Sequence, residues 1–130
     1  MIVIDASAVL ELLLLTPKAA QLEALALTSG QQLNAPHLLD VEVTQTLRRL
    51  VLAGELPPRR AEQALDDYSQ LVIERHSHRD LIKRAWQLKD SLTAYDAIYV
   101  ALAEALDSVL LTCDGRMARA HGHHARIRLV

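Results

Sequence analysis

Apolar residues run in two registers along this chain. Short unbroken runs, "IVI" at 2–4 and "SVLLT" at 108–112, predict strands buried on both faces, as in a parallel sheet. Longer segments repeat apolar residues every three or four positions and predict helices. In "HLLDVEVTQTLRRLVLA" (37–53), Leu39, Val43, Leu47 and Leu50 fall on one side, and Gly54 is the stop. A helix from Ala8 to about Leu15 would be capped by Ser7. Thr16 and Pro17 read as the N-cap and first residue of another helix, ended by Gly30. "QLNAP" (32–36) reads as a short strand or connector, 56–71 as a helix opened by its prolines, "VIER" (72–75) as a strand and 79–90 as helical. "TAYDAIYVALAEAL" (93–106) reads as an amphipathic helix opened by Thr93. A short helix over "GRMARA" (115–120) and an alternating edge strand over "RIRLV" (126–130) follow.

Strands alternating with helices predict an α/β fold: a mostly parallel sheet covered by helices on both faces. No internal repeat, low-complexity segment or linker interrupts the pattern, so the expectation is one domain over residues 1–130. Ligands of such sheets bind beyond the carboxyl ends of the strands. Asp5 and Asp114 each follow an apolar strand closely, and parallel strands would bring them to one edge.

Composition narrows the classes. Apolar residues make up 51% of the chain and charged residues 23%, as in ordinary globular proteins. A net charge of -2 argues against an overall basic nucleic-acid coat protein. Trp86, Tyr68, Tyr95 and Tyr99 are the only rings besides histidine, so base stacking is a poor candidate for the main binding device. "AVLELLLL" is too short to span a bilayer and is broken by Glu11; "MIVIDAS" lacks the basic start of a signal peptide. With Cys113 the single cysteine, the expectation is a cytoplasmic protein without a membrane partner.

Four of the sixteen acids stand out, and each has a plain reading beside the chemical one. Asp5 and Asp114 suit turns or caps, Glu42 could pair with Arg49 on a solvated face, and Asp96 completes a capping-box pattern with Thr93. Taken together, carboxylates at one sheet edge repel one another and call for a cation. Oxygen ligands alone suit Mg²⁺ or Mn²⁺ and not zinc. A metal held this way serves phosphodiester hydrolysis.

The residues "MIVIDASAVL" with Asp5, "APHLLDVEVTQTLRRL" with Glu42, "TAYDAIYVALAEAL" with Asp96 and "LLTCDGRMARA" with Asp114 give the chain its resemblance, in order and spacing, to PIN-domain ribonucleases of the VapC toxin type. The resemblance implies a three-layer α/β/α sandwich with Asp5, Glu42, Asp96 and Asp114 as catalytic, metal-holding residues for one or two Mg²⁺ or Mn²⁺ ions. It implies hydrolysis of RNA by metal-activated water, leaving 5′-phosphate and 3′-hydroxyl ends. It implies a cognate VapB-type antitoxin, a homodimer, and operator DNA met only through the antitoxin. Ser7 and Thr112 fall where the family often carries hydroxyl residues supporting the acids. Cys113 and the His-rich "AHGHHARIRLV" depart from the usual pattern.

Arg116, Arg119, Arg126 and Arg128 make the chain basic beyond Asp114, and Arg116 is the candidate RNA contact by proximity. A solvated face is the plain alternative. His121, His123 and His124 lack a recognisable zinc spacing, and Cys113 has no base partner in view. Two other functions fit the acids: a magnesium-dependent phosphohydrolase of small phosphoesters, and a non-catalytic protein-binding module whose acids are caps.

Overall fold

The computed structural model describes residues 1–28 and 30–130. Five strands are seen among them: β1 (Ile2–Ile4), β2 (Leu33–Pro36), β3 (Ile73–His76), β4 (Val109–Thr112) and β5 (Arg126–Leu129). They form one sheet in the order β3-β2-β1-β4-β5, and every pairing is parallel. The chain builds β1, β2 and β3 outward to one side, then returns to lay β4 and β5 on the other. The order therefore switches between β1 and β4, and sheets of this kind bind ligands beyond the strand ends at such a point.

Seven α-helices are described: α1 (Ala6–Leu13), α2 (Ala19–Ala26), α3 (Leu38–Leu52), α4 (Pro58–Gln70), α5 (Ile82–Gln87), α6 (Ala94–Ala105) and α7 (Gly115–Ala118). α1 packs against α2, α3 and α4, while α5 packs against α6, which lies over β1, β2 and β4. The result is the expected α/β/α layering. Among the described residues no helix is long and apolar enough to cross a membrane.

Val3, Ile4, Leu110 and Leu111 from the central strands fill the core with Leu39, Val43 and Leu47 of α3. Leu50, expected on the same side of α3, is only half-buried. α3 stops in a Schellman turn. The Gly54 amide donates to the Val51 carbonyl and the Glu55 amide to the Leu50 carbonyl, with Gly54 at φ +73°.

Three expectations change. The cap of α1 is Asp5, not Ser7, because the helix begins at Ala6 and the Asp5 carboxylate accepts the Ala8 amide. α2 begins at Ala19, two residues after Pro17, since Thr16 and Pro17 are spent on a turn in which the Ala19 amide donates to the Thr16 carbonyl. It stops at Ala26, and part of the predicted run to Gly30, residue 29, lies outside the described residues. α6 is not amphipathic through its middle: Ala97 to Ala103 are all buried. Its alanines let it lie between the sheet and α5, so it has little solvent side.

Another bond set pins α3, α4 and β3 together. Tyr68 donates to Asp40 Oδ1 at 2.6 Å and Arg75 reaches the same oxygen at 2.8 Å. Burial works to raise the Asp40 pKa, but the Arg75 and Tyr68 bonds outweigh it and hold it below the ordinary 3.8. Its stabilising effect is present above the ordinary value and is lost as pH falls through the depressed one. Asp40→Asn should therefore lower stability at neutral pH and show a smaller loss on acidification, checked by thermal melts across pH 2–7. In the core, Leu110→Ala should cost about 2–5 kcal/mol in urea unfolding. Leu129→Ala on the exposed edge strand should stay within about 0.5 kcal/mol.

Candidate active site

The parallel register pairs Ile4 with Leu111, so the residues that follow, Asp5 and Thr112, lie side by side as the two strands end. Asp5 is 3% exposed. Its Oδ1 accepts the Ser7 hydroxyl at 2.7 Å and the Ala8 amide at 3.0 Å, and its Oδ2 accepts the Thr112 hydroxyl. Ser7 also accepts the Cys113 amide at 2.9 Å, and Thr112 accepts the Asp114 amide at 3.0 Å. The two hydroxyl residues thus tie the start of α1 to the end of β4 and fix the Asp5 carboxylate.

The other acids reach this edge from helices. Glu42 rides on α3, which begins just after β2. Tyr99 of α6 donates its hydroxyl to Glu42 Oε1 at 2.7 Å, so the partner of Glu42 is Tyr99 and not Arg49. Asp96 sits in the first turn of α6, whose N-cap Thr93 accepts the Asp96 amide at 3.2 Å. The cap is therefore the work of Thr93. Asp114 caps α7 by accepting the Arg116 amide at 2.9 Å and lies 3.5 Å from the Arg116 guanidinium, which is 82% exposed.

The acids feel one another. Burial raises the Asp5 carboxyl above its ordinary value; hydrogen bonds from Thr112, Ser7 and the Ala8 amide oppose it, and the charge of Asp96 adds to it. Burial also raises Glu42; the Tyr99 bond opposes this, and Asp96 and Asp5 push it further up. For Asp96, burial and then Asp114 push upward, while Arg116 and Thr93 pull back without cancelling them. Asp40 makes the contrast. It lies on the same helix as Glu42 and also takes a tyrosine hydroxyl, but Arg75 completes its pairing. Among the described residues, Asp5, Glu42 and Asp96 are in no salt bridge.

In donor chemistry the set fits Mg²⁺ or Mn²⁺: carboxylate oxygens, with no thiol or imidazole among them. Asp5 and Glu42 are already oriented by hydrogen bonds, as supported metal ligands usually are. Among the described residues no three His, Cys, Asp or Glu side chains stand together as a ready-made cage.

The remaining candidates separate from this site. The His123 ring bonds the Ala120 carbonyl and the Ala125 amide, while the His124 amide donates to Glu104 Oε1 and the His121 carbonyl accepts the Ser91 hydroxyl. Glu104 is also gripped by Arg84 through two bonds of 2.8 and 3.0 Å. These contacts fasten the His-rich segment to α5 and α6. Burial pushes the Cys113 thiol up to about 11, a poor setting for a nucleophile. Tyr99 escaped the sequence reading. Its signal was an aromatic hydroxyl three residues, nearly one helical turn, after Asp96 in a run otherwise made of aliphatic residues.

Comparison with known proteins agrees with this architecture. The PIN domain family model matches residues 2–122. Ribonuclease VapC1 of Mycobacterium tuberculosis is 51% identical over 98 residues, 75% of this chain and 74% of that protein. Ribonuclease VapC12 of the same organism is 39% identical over 130 residues, 100% of this chain and 99% of that one. The solved structure of VapBC2 from Rickettsia felis, bound to a DNA fragment from their promoter, superposes with a TM-score of 0.70. It covers 99% of this chain and 98% of that chain at 11% identity, a likeness of fold. The chain belongs to the PIN-domain family and groups within it with the VapC proteins.

Proposed function

We propose that residues 1–130 form a single PIN domain acting as the toxin of a type II toxin–antitoxin pair, an endoribonuclease that depends on Mg²⁺ or Mn²⁺. The observation that carries this reading is the electrostatic state of the edge beyond β1 and β4. Burial first, and then like charge, raises the carboxyls of Asp5, Glu42 and Asp96 from their ordinary values, none has a salt bridge among the described residues, and Asp114 adds a fourth carboxylate. A purely structural cluster would be paired as Asp40 is. The names of the VapC ribonucleases support RNA as the substrate.

Asp5, Glu42, Asp96 and Asp114 would hold the cation. When bound, it supplies Lewis acidity toward a phosphate oxygen and toward water. The chain's own residues do the rest. Ser7 and Thr112 stop the Asp5 carboxylate from turning away. The first turn of α6 steadies ionised Asp96, because a helix N-terminus favours negative charge. Arg116, exposed beside Asp114, would take a backbone phosphate. Glu42 lines a groove of about 380 Å³ with Gln45, Thr46 and Tyr95, an approach to that one acid from the α3 side. The partners that go with this reading are RNA, a VapB-type antitoxin and a second copy of the chain; a net charge of -2 suits operator contact only through the antitoxin.

The test is cleavage of total RNA by the purified, antitoxin-free protein, with ends mapped by sequencing. Discrete cuts should appear with Mn²⁺, vanish with chelator, and fall more than about 100-fold in Asp96→Asn. Equal cutting by a folded Asp96→Asn protein would sink the assignment.

The raised carboxyls also make a stability prediction. Each binds its proton more tightly folded than unfolded, so its stabilising effect is full below the ordinary 3.8 to 4.5 and is lost as pH rises through the raised value. Metal-free Asp96→Asn should therefore melt above the metal-free wild type at neutral pH, by roughly 2–5 °C. Mn²⁺ should raise the wild-type midpoint and leave that of the variant nearly unchanged. Scanning calorimetry with and without Mn²⁺ checks both.

A further inference from the structure

Glu42 differs from the other acids in how it is held. Asp5 and Asp114 are tied by backbone amides beside them in the chain, and Asp96 sits beside its own N-cap. Glu42 reaches out from the middle of a helix turn on a long arm, and its one side-chain hydrogen bond among the described residues comes from 57 residues away, the hydroxyl of Tyr99. Tyr99 is 1% exposed, so its ring cannot swing and its hydroxyl stays where packing puts it. Only Oε1 is taken; among the described residues Oε2 accepts nothing. Asp40, two residues earlier on α3, is tied by Tyr68 in the same manner, but there Arg75 completes the pairing.

We propose that Tyr99 is a positioning residue for the acid site: its hydroxyl tethers one Glu42 oxygen so that the other is presented to a divalent cation. The inference rests on the reading of the four acids as a cation site. The tether limits the rotamer freedom Glu42 would otherwise lose on binding, a cost that is substantial for a glutamate. It also leaves Oε2 as the oxygen with no partner among the described residues, which favours Glu42 as a one-oxygen ligand. Tyr99 links two of the acids across the fold, since it lies on α6 three residues past Asp96 while its bond goes to α3. A shift of α6 against α3 would move Asp96 and release Glu42 together.

The experiment is Mn²⁺ titration by calorimetry of the whole chain, metal-stripped, in four forms: wild type, Tyr99→Phe, Glu42→Gln and the double variant. Tyr68→Phe serves as the control for a tyrosine tether outside the site. Tyr99→Phe should weaken Mn²⁺ binding about tenfold, in the range usual for groups that orient metal ligands. The double variant should bind no more weakly than Glu42→Gln alone, and Tyr68→Phe should bind as wild type does. Wild-type affinity in Tyr99→Phe, or the same tenfold loss when Glu42 is already Gln, overturns the tether. Wild-type protein that takes up no Mn²⁺ overturns the cation reading itself, and the tether falls with it. If Tyr99→Phe fails to fold, the wild type still decides by NMR. The Tyr99 hydroxyl proton, protected by its bond to Glu42, should persist as Mg²⁺ is added to saturation. Its loss on Mg²⁺ binding shows that Glu42 leaves the tyrosine to meet the metal, and overturns the proposal.

Discussion

The Asp5 carboxylate accepts the Ala8 amide and the hydroxyls of Ser7 and Thr112 from a position 3% exposed, directly beyond β1. Through these bonds the same group starts α1, closes the β1–β4 edge and anchors the acid cluster. A buried carboxylate is costly unless its oxygens are satisfied, and three donors go far toward satisfying them. They do not fully offset burial, and the carboxyl stays inclined toward its proton. The fold therefore holds a buried acid at the point where the strand order switches. Glu42, Asp96 and Asp114 are all positioned relative to that point.

α3 carries two acids whose settings show how context separates structure from chemistry. Asp40 and Glu42 each take a tyrosine hydroxyl, from Tyr68 and Tyr99. Asp40 then meets Arg75, its pKa drops, and it joins α3 to β3. Glu42 meets no cation among the described residues; burial first, and then the charges of Asp96 and Asp5, raise its pKa against the Tyr99 bond. Similar bonds in different fields make one acid part of the frame and leave the other without a salt bridge among the described residues.

The His-rich segment shows how an unusual composition can be absorbed by ordinary structure. Arg84 and Glu104 grip each other, the His124 amide completes the grip, and β5 can then join the sheet edge beside β4. α7 lies between β4 and β5 in the chain, so this fastening also bears on where Arg116 and Asp114 stand.

Much of this was legible in the chain. Apolar runs marked β1 and β4, the 3.6-residue period marked α3, and Thr93 marked the start of α6; each is a local signal that a neighbour in sequence can carry. The order and spacing of Asp5, Glu42, Asp96 and Asp114 likewise lie in the sequence itself. What tertiary structure alone decided is which partner each acid takes. Asp5 displaced Ser7 as the cap because the helix begins at Ala6, and the Ser7 hydroxyl instead joins Asp5 to the Cys113 amide at the end of β4. Glu42 took Tyr99 in place of Arg49 because packing of α6 brings that hydroxyl to it. α6 lost its expected solvent face because α5 covers it. These outcomes depend on contacts between residues as many as 107 positions apart, such as Asp5 and Thr112. Periodicity and caps act within a turn or two, so the physical cause of those contacts, the parallel pairing of β1 with β4 and the packing of α6 over them, exists only in the folded chain.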